Sequence, residues 1–212
     1  MKCVGKYIVL EGPDGSGKST QASRLVQQLT TFGCRAVHVR EPGGTRLGEA
    51  VRKVLLDHAH AGMSRRAELM LHMAARAELA EKVIRPALER NDIVVSDRCL
   101  MSSVVYQGIA GNVGRNAVYA TADIAVGPVR PSLTVVVDVP VEVARARMAE
   151  AEPDRVEAEP IEFHEAVRQA YLEEAERMPG AVVVDGNRPA EKVFKEIWYY
   201  VESHVKTTAG AE

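Results

Sequence analysis

The amino-acid sequence predicts an α/β protein, a parallel sheet with helices on both faces. Apolar runs of strand length recur at residues 7–10, 35–39 ("RAVHV"), 92–96 ("DIVVS"), 133–137 ("LTVVV") and 181–184 ("AVVV"). Segments with helical periodicity separate them, the alternation that βαβ units require. A glycine-rich stretch, "EGPDGSGKST", follows the first run directly, and apolar residues at helical spacing come after it.

That stretch sets Gly12, Gly17, Lys18 and Ser19 in the spacing G-x-x-x-x-G-K-S. It lies between the strand-like Tyr7-Ile8-Val9-Leu10 and a helix of about 14 residues marked by Leu25, Val26 and Leu29. The expected structure is a phosphate-binding loop, and hence a P-loop NTPase fold. Gly12, Gly15, Ser16, Gly17, Lys18, Ser19 and Thr20 would cradle the phosphates of a nucleoside triphosphate with backbone N–H groups at the positive end of the helix. Lys18 is expected to reach the β- and γ-phosphates, and the Ser19 hydroxyl to ligate Mg²⁺. The bland alternative is a glycine-rich turn with no ligand. ATPases, GTPases and small-molecule kinases share this device, so it does not by itself name a reaction.

A length of 212 residues suits one domain, expected over 1–205, with a polar tail at 206–212. Lys and Arg number 27 against 29 Asp and Glu, a net charge near −2 that favours neither nucleic acid nor an anionic membrane as partner. The three cysteines, Cys3, Cys34 and Cys99, are odd in number and show no CxxC spacing, which suits a reducing cytoplasm and argues against zinc. The apolar run near the N-terminus is short and leads into the glycine-rich loop, unlike a signal peptide. No apolar run approaches the ~20 residues of a membrane-spanning helix.

Ligands of such sheets bind beyond the carboxyl ends of the strands, so the segments after each run are where chemistry is expected. After the third run stands Ser96-Asp97-Arg98. Asp97 is the expected partner of Mg²⁺, and Arg98 is placed to bridge donor and acceptor phosphates; the alternative is a surface ion pair. After the second run, "REPGGT" (Arg40 to Thr45) reads either as a loop closing over a ligand or as a tight turn, with Arg46 and Arg52 on the next helix. The longest helix is expected from Ser64 to Arg90, capped by Ser64, with Glu68 in its first turn and a bend near Pro86. Met70, Met73, Ala77, Ala80, Ile84 and Ala87 form its expected core stripe. His72 and Arg76 share another face, where an arginine among apolar residues needs a phosphate or a buried carboxylate. Residues 148–163, "MAEAEPDRVEAEPIEF", read as an exposed flexible loop, either a lid or a solvated linker.

Taken together, "EGPDGSGKST", "REPGGT", "AARAELAEKVIRPALE", "SDR…SSVVYQG", "RPSLTVVVDVP" and "DRVE" resemble the thymidylate kinase family over residues from about 7 to 200. The resemblance implies a five-stranded parallel sheet, a short lid at about 149–160, a homodimer, and the reaction ATP + dTMP → ADP + dTDP with Mg²⁺. Lys18 and Arg98 look like the family's phosphate-bridging cations, and Asp14 like its acid near the metal and the acceptor phosphate. Arg76 looks like the arginine that holds the monophosphate, with Arg52 nearby. Ser103 and Gln107 fall where the family contacts the thymine edge, and Tyr106 where it crowds the 2′ position. Arg155 is the well-placed lid arginine.

Three positions depart from the family pattern. His72 stands where an aromatic usually stacks on thymine, adding a group that ordinarily titrates near neutrality. Cys99 replaces the usual aromatic after Asp-Arg. Gly15 follows the P-loop aspartate, a pattern that goes with an arginine-rich lid, yet residues 149–154 read "AEAEPD", with Arg145 and Arg147 on the preceding helix. Slow turnover is one consequence of such a lid. The rival readings are a kinase for another nucleoside monophosphate and a non-catalytic, nucleotide-binding regulatory protein. A switch GTPase lacks support, because the chain has no Asn-Lys-x-Asp segment.

Overall fold

Each apolar run forms a strand, and the strands lie within a residue or so of the predicted bounds. A computed structural model describes residues 3–149 and 152–206. In chain order these are β1 (Tyr7–Glu11), α1 (Lys18–Thr31), β2 (Ala36–Arg40), α2 (Arg46–Leu56), a 3-10 turn (His58–His60), α3 (Arg65–Leu79), a π-helical segment (Ala80–Ile84) and α4 (Arg85–Glu89). There follow β3 (Ile93–Asp97), α5 (Leu100–Ser103), a second π segment (Val104–Ala110), α6 (Arg115–Val126), β4 (Leu133–Asp138), α7 (Val141–Met148), α8 (Ile161–Arg177), β5 (Ala181–Asp185) and α9 (Ala190–Val205).

The strands form one parallel sheet in the order β2-β3-β1-β4-β5. Side chains alternate across it as strand geometry requires. Ile8 and Leu10 of β1 pack with α1 and α9, whereas Tyr7 and Val9 pack with α3 and α6. Because both faces are covered, β1 is apolar nearly throughout. Asp97 at the end of β3 is in register with Leu10 of β1 and Arg40 of β2. Three connections therefore leave the sheet side by side, and this edge carries the site.

Residues 65–89 form one rod interrupted by the π segment, where the Arg85 N–H bonds the Ala80 carbonyl five residues back. Pro86 lacks an N–H and crowds the preceding turn, and the widened turn stands directly before it. The core stripe differs from the expected one. Leu69, Met73, Leu79, Ala80, Ile84 and Ala87 are buried, whereas Met70 is 54% exposed. The true stripe runs through Arg76, which is 2% exposed. A periodicity that avoids charge in the core slides one residue away from it.

The cysteines also need correction. Cys3 and Cys34 form a disulfide across 31 positions, leaving Cys99 as the free thiol among the described residues. Cys3 also forms an isolated antiparallel bridge with Lys206, so the first and last described residues lie together. Lys206, assigned above to the tail, is thus part of the fold; residues 207–212 lie outside the described residues. Among those described, no helix is long and apolar enough to cross a membrane.

Candidate active site

The glycine-rich loop leaves β1 against its neighbours too closely for side chains. A Cβ at Gly12 would lie 2.4 Å from the Val137 carbonyl oxygen, and one at Gly15 would lie 2.4 Å from that of Ala144 on α7. Both have positive φ, 139° and 74°, so glycine is required on two counts. Gly17 caps α1 in a left-handed conformation without a side-chain bond, and Ser19 and Thr20 are exposed in the first helical turn. The open N–H groups of that turn are of the kind that suits an anion. Lys18 is 5% exposed; its Nζ donates to the Pro13 carbonyl at 3.2 Å and lies 3.6 Å from Asp14. Burial and the nearby Arg98 cation lower its pKa.

Opposite the loop, Arg98 turns the chain out of β3 with φ 71°. Its guanidinium ion-pairs with Asp14 and donates to the Gly12 carbonyl (3.1 Å), Ser102 Oγ (3.0 Å) and the Tyr171 hydroxyl (2.9 Å). The Tyr106 hydroxyl donates to the other Asp14 oxygen at 2.9 Å. Burial pushes the Asp14 carboxyl up, but the Arg98 and Lys18 cations outweigh it and hold the pKa below the usual carboxylate range. Tyr106, buried beside this carboxylate, is pushed far up and stays a phenol. Beneath lies Glu11, fully buried, accepting from the Cys99 N–H (2.8 Å), the Ser102 N–H (3.2 Å) and Ser102 Oγ (2.6 Å).

Beside this cluster opens a cleft lined by Pro42, Arg52, His72, Ser103, Tyr106, Gln107 and Arg155 among others. Three guanidiniums and several uncharged polar groups converge on it, the mixed lining of a polar small-molecule site. The "REPGGT" segment is a turn at its wall, with a cis Glu41-Pro42 bond, and the half-buried Arg52 donates to the Pro42 carbonyl at 3.2 Å. His72 faces the cleft, but burial and the Arg76 guanidinium push its imidazole down to about 3. It is therefore neutral near pH 7, unlike the expectation above.

Arg76 lies under the cleft instead of lining it. Its Nε meets Glu41 at 2.5 Å, and its Nη2 donates to the Cys99 carbonyl and Ser103 Oγ, each at 3.0 Å. The buried salt bridge weighed above is what the structure contains, and a phosphate at Arg76 would have to displace it. Arg155 is 8% exposed, so the segment expected to be a lid or a solvated linker is anchored here and not freely solvated. Its Nε donates to the Leu55 carbonyl (2.9 Å) and its Nη2 to Glu68 (2.8 Å). Residues 150 and 151 of the expected lid lie outside the described residues.

Asp97 Oδ1 and Ser16 Oγ are buried without a hydrogen-bond partner. An orphaned carboxylate oxygen at the end of β3, with the Ser19 hydroxyl open in the first turn of α1, fits a hard divalent cation completed by water and phosphate oxygens. Several contributors escaped sequence reasoning. Glu11, Glu41, Glu68 and Tyr171 become polar hubs only through partners far along the chain. Arg147 of α7 reaches the P-loop, donating weakly to the Gly15 (3.4 Å) and Ser16 (3.5 Å) carbonyls and to Gly186 at 3.0 Å. Its signal was Gly15, whose missing side chain admits α7.

A parallel sheet ending in a glycine-rich loop, with an arginine paired to the loop's aspartate beside a second cleft, is the arrangement of P-loop phosphotransferases. The family profile described as thymidylate kinase matches residues 10–197. The chain is 46% identical to the thymidylate kinase of Symbiobacterium thermophilum over 92% of each sequence. It is 40% identical to that of Thermosipho africanus, over 95% of this chain and 100% of the relative. The crystal structure of thymidylate kinase from Ehrlichia chaffeensis superposes with a TM-score of 0.76 at 29% identity, covering 93% of this chain and 99% of that one. The chain belongs to the thymidylate kinase family.

Proposed function

We propose that the protein phosphorylates dTMP to dTDP at the expense of ATP, by direct in-line transfer. The observation that carries this reading is the junction of Lys18, Asp14 and Arg98 between the open α1 N-terminus and the cleft. Donor phosphates on one side and an acceptor phosphate on the other would meet there. The bond from the γ-phosphorus to the ADP oxygen breaks as one forms to a dTMP phosphate oxygen, so no covalent enzyme intermediate arises. The acceptor is already an anion, and no base is needed to take a proton. Lys18 and Arg98 stabilise charge on the transferring group, and alignment supplies much of the rest. Mg²⁺ held by Ser19 and Asp97 would add charge neutralisation at the donor phosphates.

Arg52 and Arg98 are the cations on the cleft that suit the acceptor phosphate, while Ser103, Gln107 and His72 suit the base and Tyr106 the sugar. Arg76 acts through Ser103 and Glu41, and Arg155 braces the lid. A single domain over 1–205 accommodates all of these. A homodimer is part of the reading: the adjacent helices α2, α3 and α6 expose Leu47, Val54, Met70 and Ile124. So is a cytoplasmic location, where nucleotide substrates are available, although the Cys3–Cys34 bridge removes the cysteine argument for it.

His72 favours one alternative, a kinase whose base pocket accepts another nucleoside monophosphate. ADP release from Mg·ATP against dTMP, dUMP, dCMP, dGMP, UMP and CMP tests both. Turnover led by dTMP is expected. Turnover led by a different acceptor replaces the substrate, and bound nucleotide without ADP release replaces the kinase.

A further inference from the structure

Glu68 occupies a place that neither phosphate chemistry nor core packing explains. It is 1% exposed on α3, beside the cleft, and its two oxygens serve different masters. Oε1 accepts from Gln107 Nε2 at 2.6 Å. Oε2 accepts from Arg155 of the lid at 2.8 Å and from Arg65 at 3.1 Å, and Arg65 also ion-pairs with Glu159 of the lid.

An ionised carboxylate only accepts hydrogen bonds. Gln107 must therefore turn its NH₂ toward Glu68, and its carbonyl oxygen is left for the cleft it lines. A carboxamide free to flip would offer the cleft either a donor or an acceptor; this one offers an acceptor. Such a wall matches a base with a ring N–H, as thymine has at N3, and mismatches cytosine, whose N3 is itself an acceptor. Burial opposes the charge that enforces this orientation, but the Gln107 hydrogen bond and the Arg155 and Arg65 guanidiniums together outweigh it.

We propose that Glu68 is a positioning residue that couples the seating of the lid to recognition of the acceptor base, by fixing which face of the Gln107 carboxamide the cleft presents. The proposal rests on the dTMP-kinase reading for its substrate, but its mechanism is local. When Arg155 docks, Glu68 is held charged and the base wall is set; when the lid lifts, the carboxylate loses a partner and Gln107 gains freedom. Base discrimination would thus be sharpest in the closed, reactive state.

Glu68→Gln preserves shape but can donate as well as accept, so it no longer dictates the orientation. The ratio of kcat/KM for dTMP to that for dCMP should fall by at least about ten-fold, with the KM for ATP little changed. Arg155→Ala should lower the same ratio, and should add nothing further in the Glu68→Gln background. An unchanged ratio in folded Glu68→Gln overturns the coupling. If that variant does not fold, equal loss on both acceptors in Arg155→Ala overturns it instead. Side-chain amide NMR separates this from the substrate reading. In the wild-type protein the Gln107 proton facing Glu68 should exchange slowly, and its protection should vanish in Glu68→Gln. Protection without dTMP turnover would sink the substrate and keep the coupling; no protection in wild type would sink the coupling.

Discussion

The Arg98 guanidinium at the end of β3 is ion-paired with the Asp14 carboxylate in the middle of the P-loop, 84 residues earlier in the chain. The pair fixes a flexible cation by means of the loop that cradles the donor phosphates. Asp14→Asn should therefore lower kcat on the order of 10- to 100-fold through loss of alignment, and leave KM for ATP less affected. Because Asp14 is held below the usual carboxylate range, the wild-type pH–rate profile should show no limb from it near its ordinary value of 3.8. Steady-state rates across pH, with thermal melts as controls, check both points.

Lys18 is buried against its own loop, with its Nζ 3.6 Å from the Asp14 oxygen that Arg98 also pairs with. Lys18→Ala should reduce turnover by at least about a thousand-fold, as loss of a cation on a transferring phosphoryl group does. Near-normal single-turnover rates at saturating ATP would remove the P-loop from the mechanism.

His72 tests stacking and proton linkage in one side chain. His72→Phe should sharpen preference for dTMP, since a phenyl ring buries more area against a base; an unchanged acceptor ranking would mean that the ring does not face it. The linkage sign is fixed by the depressed pKa. The folded state holds the imidazole neutral down to about 3, whereas the unfolded chain takes up its proton near 6.5. His72 thus contributes stability that is present above 6.5 and is lost as pH falls from there toward 3, with a slope of at most about 1.4 kcal/mol per pH unit. The phenylalanine variant should lose less stability over that window in denaturant titrations.

The Cys3–Cys34 bridge closes a loop containing β1, the P-loop and α1. Constraining the unfolded chain in this way typically stabilises by about 2–4 kcal/mol. Reduction, or Cys34→Ser, should lower Tm by several degrees while leaving the rate at moderate temperature largely intact, because neither sulfur lines the cleft. A Tm insensitive to reductant would mean that the bridge adds nothing in solution.

The sheet was legible because buried parallel strands are apolar without interruption, and the phosphate loop because its glycines are spaced by backbone needs. The buried carboxylates were not. Glu11 reads as a strand-end acid until Ser102, 91 residues away, supplies its donors. Glu68 reads as a first-turn acid, yet folding carries it behind Gln107 and Arg155 in the wall of the cleft. Arg76 fits a phosphate or a salt bridge equally well on paper, and only the position of Glu41 decides between them. Met70 was placed in the core for the same reason: a charge that folding neutralises looks, in one dimension, like a charge to be kept outside. The cysteines misled because bridging depends on distance in space, which odd counts and local spacing do not report.

Both rods that face the cleft contain one over-wide turn, at Ala80–Ile84 and at Val104–Ala110. An added residue rotates everything beyond it by about 100° about the helix axis, so each turn works as a phase adjuster. On the first rod, His72 lines the cleft and Arg76 lies beneath it, bonded to Ser103, while Ile84 and Ala87 beyond the widened turn pack into the core. Excising one residue from that stretch would leave every side chain of the site in the polypeptide, yet turn His72 and Arg76 out of phase with Ile84 and Ala87, so that Arg76 could keep Ser103 only by giving up the core packing.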